Sequence, residues 1–145
     1  MDLNILIALK HFVTVTKLHP ILVNFTAALV PVSVTSDLLA GYFKNQSLRD
    51  TAWWTLLYAV IITPLTALSG WLFWMKDDNG VAGMTVHKWL GIVLVILLTG
   101  LFFRRWQFYK QKREVSATYF VLAIALVAIL VVQGHLGGTQ VFSGM

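Results

Sequence analysis

Residues 117–132 read ATYFVLAIALVAILVV, a run that contains no charged side chain. A helix needs about 20 apolar residues to cross the hydrocarbon core of a bilayer, and this run approaches that length. Three more long apolar runs precede it, and 58% of all residues are hydrophobic against 12% charged. The composition therefore predicts an integral membrane protein, with spanning helices at about residues 19–42, 53–75, 87–103 and 117–137.

The apolar runs are continuous, whereas membrane strands alternate between apolar and polar residues, so the spans are expected to be helices. Short connections place successive helices side by side and antiparallel. We expect an all-α, transmembrane up-down four-helix bundle in which residues 1–145 form a single domain. Residues 4–15 precede the first span and predict a short N-terminal helix in the membrane interface.

Basic residues concentrate in the connections after the first and the third span. They are Lys44, Arg49, Arg104, Arg105, Lys110, Lys112 and Arg113. Because cytoplasmic loops carry an excess of Lys and Arg, we expect both connections in the cytoplasm and both termini on the periplasmic side of a bacterial inner membrane. This asymmetry explains the sequence pI of about 9.8 without nucleic-acid binding. A basic rim of this kind commonly meets anionic membrane lipid.

Three histidines, His19, His87 and His135, lie at the ends of separate apolar runs. The predicted topology brings all three to the outer boundary of the membrane, where the first and third spans are diagonal and the fourth touches both. We therefore expect the three imidazoles to point into a common space. Ionisable groups at membrane depth usually serve a function, which makes this layer the candidate site.

The types of residue around this layer limit the chemistry. The chain has no cysteine, which excludes iron–sulfur clusters, thiolate metal sites and covalent c-type haem attachment. Imidazole suits haem iron, copper or zinc, and the lack of nearby carboxylates disfavours calcium and magnesium. A b-type haem bound by two histidines fits best. The ligands are either His19 and His87, in which case His135 bonds a propionate or a quinone, or equally His87 and His135. The small residues that would admit the macrocycle are Gly134, Gly137 and Gly138.

Asp37 is the other ionisable group within a span. It lies about 27 Å from His19 along a helix, at about 1.5 Å per residue, and so belongs near the cytoplasmic boundary. We expect a structural ion pair with Arg104 or Arg49. A role in proton entry for a quinone reaction is the alternative.

Several short motifs resemble those of one family of small membrane proteins. LHPILVNF at residues 18–25 and SDLL at residues 36–39 are similar to the first-helix signature of the DUF2231 family. The resemblance continues through ALSGW at residues 67–71, His87 and GHLGGTQVF at residues 134–142, and covers most of the chain.

The resemblance implies a four-helix bundle like those of haem-bearing membrane cytochromes. His19, His87 and His135 stand at matching positions. The family usually has a second histidine where this chain has Asn24, and an acidic residue near Phe73.

Two functions follow as hypotheses. The first is a cytochrome b-like carrier that passes electrons between an outer-side donor and quinone or a partner subunit. The second is a cofactor-free structural subunit of a larger respiratory or photosynthetic complex. Both favour an electron-transfer or accessory subunit over a stand-alone enzyme. Transport ranks third, because the sequence shows no evident internal repeat.

Overall fold

A computed structural model describes residues 3–73 and 82–142, which form five α-helices and contain no strand. The helices are α1 (Leu3–Val15), α2 (Leu18–Phe43), α3 (Gln46–Phe73), α4 (Ala82–Lys110) and α5 (Ala117–Phe142). By length and composition, α2 to α5 are each able to cross a membrane. The predicted all-α fold with four spans and a short N-terminal helix is therefore confirmed. The last two residues of the predicted span 53–75 lie outside the described part.

The four long helices form a closed ring. Helix α2 packs on α3, α3 on α4, α4 on α5 and α5 on α2, while α1 packs on α2 and α3. Within the described residues the diagonal pairs, α2 with α4 and α3 with α5, have no backbone contact. The core along the centre of the ring includes Val30, Leu56, Leu98 and Tyr119. Large apolar side chains cover much of the outside, as contact with lipid requires.

The helices extend beyond the apolar runs at the basic end of the bundle. Helix α3 begins at Gln46 rather than near residue 53, and α4 ends at Lys110 rather than near residue 103. Helix α2 stops at Lys44, which adopts a left-handed conformation (φ 50°) and donates its backbone N–H to the carbonyl of Ala40. Such a cap satisfies a carbonyl that would otherwise lack a partner.

The α2–α3 and α4–α5 hairpins repeat each other. A shift of 68 residues along the chain converts α2 positions into α4 positions, and a shift of 67 residues converts α3 into α5. Eight pairs of buried residues correspond under the two shifts, whereas buried Ser36 corresponds to exposed Arg104. The pairs are Thr26 with Leu94, Val30 with Leu98, Ser33 with Leu101, Asp37 with Arg105, Ala52 with Tyr119, Leu56 with Ala123, Ala59 with Leu126, and Thr63 with Leu130. These shifts relate the two hairpins by an approximate, pseudo-twofold axis along the bundle, although α2 packs on α3 more extensively than α4 packs on α5. The sequence hides this repeat because corresponding residues share their burial but rarely their identity.

Candidate functional site

The structure brings two of the three predicted histidines together. His19 in the first turn of α2 and His87 near the start of α4 lie with their ring centroids 6.4 Å apart and their planes at 84°. His87 is 8% exposed, and His19 is half-buried. The two residues correspond under the pseudo-twofold axis, so the pair sits on that axis at one end of the bundle.

Main-chain carbonyls fix both imidazole rings. Nδ1 of His19 lies 3.1 Å from the carbonyl oxygen of Thr66 and 3.1 Å from the hydroxyl of Ser69. Nδ1 of His87 lies 3.0 Å from the carbonyl oxygen of Gln133. Because a carbonyl only accepts, we assign the proton to Nδ1 in both rings, which leaves a lone pair on each Nε2. Neither Nε2 has a hydrogen-bond partner within residues 3–73 and 82–142. Histidines that bind metals are also commonly oriented by a hydrogen bond from the other ring N–H to a carbonyl oxygen.

A glycine makes room for each ring. A Cβ at Gly70 would lie 2.8 Å from Cε1 of His19, and a Cβ at Gly137 would lie 2.7 Å from Cε1 of His87. Each glycine follows the carbonyl that holds the ring by one helical turn. At Gly134 and Gly138 nothing lies within 4 Å of the added Cβ. Of the three glycines proposed to admit a macrocycle, Gly137 therefore faces the site, and the space beside it is filled by imidazole.

His135 does not join the pair. It is exposed, and it corresponds to Leu68 of α3, which is 62% exposed. Residues two apart point to nearly opposite sides of a helix, so His135 faces away while Gln133 faces the site. Among the described residues, no group of three or more His, Cys, Asp and Glu side chains is arranged to hold a metal ion. The expected common space for three imidazoles is thus corrected to a space for two.

A small cavity and a cluster of hydroxyl groups lie beneath the imidazole pair. The cavity has a volume of about 40 Å³ and reaches from both histidines to Thr26 and Thr63. Oγ1 of Thr26 is 3.1 Å from Oγ1 of Thr66 and accepts a hydrogen bond of 3.4 Å from Thr63. These threonines were not predicted as site residues, although residues 63 and 66 share one helix face with Gly70. Hydroxyl groups therefore form part of an otherwise largely apolar cavity below the rings.

A family model described as "Predicted membrane protein (DUF2231)" matches residues 16–144. The chain belongs to this family. No curated protein and no solved structure gives a significant match. The match spans all four candidate membrane helices and the imidazole pair of this DUF2231 protein, and it leaves out α1. The family description and the four apolar helices together show that the protein is integrated in a membrane.

At the other end of the axis, the DUF2231 protein has a buried ion pair. Asp37 accepts hydrogen bonds of 2.9 Å from Nε and 2.9 Å from Nη2 of Arg105, and one of 3.0 Å from the Tyr119 hydroxyl. The side chains of Arg105 and Asp37 are 6% and 2% exposed. Short, bidentate, charge-assisted bonds of this kind are the strong ones.

The prediction of an ion pair at Asp37 was correct, but both proposed partners were wrong. Arg104 is exposed, because it lies one step of about 100° around α4 from Arg105. The guanidinium of Arg49 binds Glu114 at 2.6 Å, and only its carbonyl faces Arg105, at 3.4 Å. The depth of Asp37 along its span was predictable from the sequence, but the side of α4 that faces Asp37 was not.

Proposed function

We propose that the protein is a membrane-integral electron-transfer protein in which His19 and His87 bind the iron of a b-type haem. It passes electrons between a donor at the histidine end and membrane quinone or a partner subunit. Two imidazoles bound through Nε2 on opposite sides of one metal ion have ring centres roughly 6 Å apart, given a metal–nitrogen distance of about 2.0 Å. The observation that carries the proposal is the ring pair at 6.4 Å, with both Nδ1 atoms held by carbonyls.

The ligand set fits haem iron, but the space as packed does not fit the macrocycle. The cavity between the rings and the threonines is about 40 Å³, whereas pockets for larger organic ligands measure about 300–1,000 Å³. Haem binding therefore requires the side chains that line this cavity to move aside while the two rings keep their separation.

The small cavity favours a second candidate for the same function, a bare copper ion on the two imidazoles. Copper binds imidazole well and changes oxidation state, which zinc does not. About 10–15 Å³ suffices for one water molecule, so an ion enters the observed cavity without displacing the side chains that line it. Haem and copper differ in optical spectrum and in metal content, which makes them easy to distinguish.

The test is an optical and metal analysis of the protein purified in mild detergent. Haem predicts a Soret band, a sharp α-band on reduction and a positive pyridine haemochrome assay. We expect His19→Ala and His87→Ala to abolish these signals, and His135→Ala and His11→Ala, both at exposed positions, to keep them. Copper without haem would support the second candidate. A folded protein with neither would contradict both and leave the cofactor-free subunit.

We also propose that the basic end of the bundle faces the cytoplasm of a bacterium and the histidine end faces the periplasm. Support comes from the excess of Lys and Arg at the end that holds Asp37. Because the chain has no cysteine, single-cysteine variants report sidedness without a background signal. A membrane-impermeant thiol reagent on intact cells should label Thr16→Cys and not Gln111→Cys. Labelling of Gln111→Cys alone would reverse the orientation.

A further inference from the structure

The basic end of the bundle contains a cavity far larger than the one at the histidines. Its volume is about 700 Å³, within the usual range for ligand sites. It is bounded by the end of α2, the start of α3, the end of α4 and the connection to α5. The Asp37–Arg105 pair lies at its inner wall. This cavity has no part in the function proposed above.

Positive charge exceeds negative charge around this cavity, since five cationic and three acidic side chains line it. The acids are already engaged. Asp37 binds Arg105, Glu114 binds Arg49, and Asp50 accepts a hydrogen bond of 2.9 Å from the Gln46 amide. The Arg49 guanidinium lowers the pKa of Glu114, which keeps that carboxylate charged and paired. Asp37 and Glu114 therefore each neutralise one cation, and the three remaining cations outnumber Asp50.

The remaining cations are Lys110, Lys112 and Arg113. Nζ of Lys110 lies 4.4 Å from the centre of the Trp106 ring. Lys112 and Arg113 are exposed and have no acidic partner among residues 3–73 and 82–142. The chain turns back over the end of α4 here: Lys112 has a φ of 51°, and the Arg113 N–H donates to the carbonyl of Phe108 at 3.0 Å. This turn fixes the backbone that carries the two exposed cations.

Apart from Gln46, the uncharged part of the lining is apolar or aromatic. It includes Trp106, Phe108, Tyr109, Val115 and Phe120. A free phosphate ion would use the cations but not this wall. A molecule with an anionic head and hydrocarbon chains would use both, and the cavity lies where the spanning helices end, at the depth of lipid headgroups.

We propose that this cavity binds one anionic phospholipid, with the phosphate at Lys112 and Arg113 and the acyl chains leaving along the aromatic wall. The site is assembled from both hairpins, because Arg49 of α3 and Phe108 of α4 both line it. A bound lipid therefore contacts the α2–α3 hairpin and the α4–α5 hairpin at once.

The test is native mass spectrometry of the full chain in detergent, with phosphatidylglycerol and phosphatidylcholine of identical acyl chains as probes. We expect one phosphatidylglycerol to bind at concentrations where phosphatidylcholine does not. The double variant Lys112→Gln/Arg113→Gln should weaken this binding about 25-fold, at roughly fivefold for each cation near a membrane surface. The charge-conserving variant Lys112→Arg/Arg113→Lys should retain it.

The matched control is Lys44→Gln/Arg104→Gln, which removes two exposed cations from the same end of the bundle but outside the cavity lining. It should bind phosphatidylglycerol as the native chain does. An equal loss in the control would overturn the proposal in favour of diffuse attraction. Equal affinity for phosphatidylcholine would overturn it, and so would displacement of the lipid by glycerol phosphate at the same concentration.

Discussion

Gly137→Ala is the sharpest test of the imidazole pair. The new methyl group would lie 2.7 Å from Cε1 of His87, well inside the contact distance of about 3.5–4.0 Å between carbon atoms. The ring must move by about 1 Å, and its hydrogen bond to the Gln133 carbonyl must lengthen or break. Overpacking costs about 1–3 kcal/mol and the lost hydrogen bond about 1 kcal/mol. Alanine regains about 0.5–1 kcal/mol of helix stability, so we expect a net loss of about 1–3 kcal/mol.

Gly134→Ala is the matched control, three residues earlier in the same helix and with nothing within 4 Å of the added methyl group. It should leave stability unchanged or raise it by up to about 1 kcal/mol. The assay is the free energy of unfolding in mixed detergent micelles, followed by circular dichroism, with cofactor content measured on the same samples. Gly70→Ala and Gly41→Ala repeat the comparison in the α2–α3 hairpin. There the added methyl group meets His19 at 2.8 Å in the first variant and has nothing within 4 Å in the second.

The double variant Gly137→Ala/His87→Ala separates the clash from other effects of alanine. Removing the ring removes the clash, so the double variant should be more stable than additivity of the two single variants allows. Strictly additive losses would refute the contact between His87 and Gly137. So would equal stability of Gly134→Ala and Gly137→Ala.

Three further outcomes follow from the basic end. Arg105→Met should cost about 3–5 kcal/mol of unfolding free energy, because it leaves the Asp37 carboxylate buried without its cation. The double variant Asp37→Leu/Arg105→Met should recover most of that loss. No recovery in the double variant would contradict a buried ion pair. Tyr119→Phe should cost about 1.5–3 kcal/mol in the same assay, because its hydroxyl donates to a charged carboxylate. Arg49 lowers the pKa of Glu114 from its ordinary value of 4.5. The stabilisation by the Arg49–Glu114 pair is therefore present above pH 4.5 and is lost as the pH falls through the lowered pKa of Glu114. Unfolding measured against pH should therefore show Arg49→Gln and the native chain converging in acid, and a difference that persists there would argue against the pair.

The spans were predictable from the sequence because lipid demands long apolar helices, and residues 117–132 allow little else. The helix ends were not predictable to the same degree. Gln46 and Lys110 continue helices beyond the apolar runs, since polar side chains at a helix end can reach water or lipid headgroups while the backbone stays helical. Hydropathy predicts which residues lie within the membrane, whereas capping residues such as Lys44 determine where the helices end.

Depth in the site was predictable and rotation was not, for a physical reason. A fixed rise per residue places His19, His87 and His135 at one level from spacing alone. Which side of a helix faces the core is normally read from the alternation of apolar and polar faces. Both sides of α5 are largely apolar, and Gln133 and His135 are both polar, so the sequence of α5 does not indicate that Gln133 faces inward and His135 outward. The same ambiguity concealed the choice between Arg104 and Arg105.

The pseudo-twofold axis gives the two ends of the bundle different chemical requirements. At one end the corresponding residues are Asp37 and Arg105, opposite charges that satisfy each other with no third group. At the other end they are His19 and His87, like groups that both donate from Nδ1 to a carbonyl. Two rings with the same tautomer offer two lone pairs and no remaining donor, so neither can bond the other through Nε2. Each Nε2 lone pair is therefore available to an electron-pair acceptor, such as a metal ion, or to a hydrogen-bond donor, such as water.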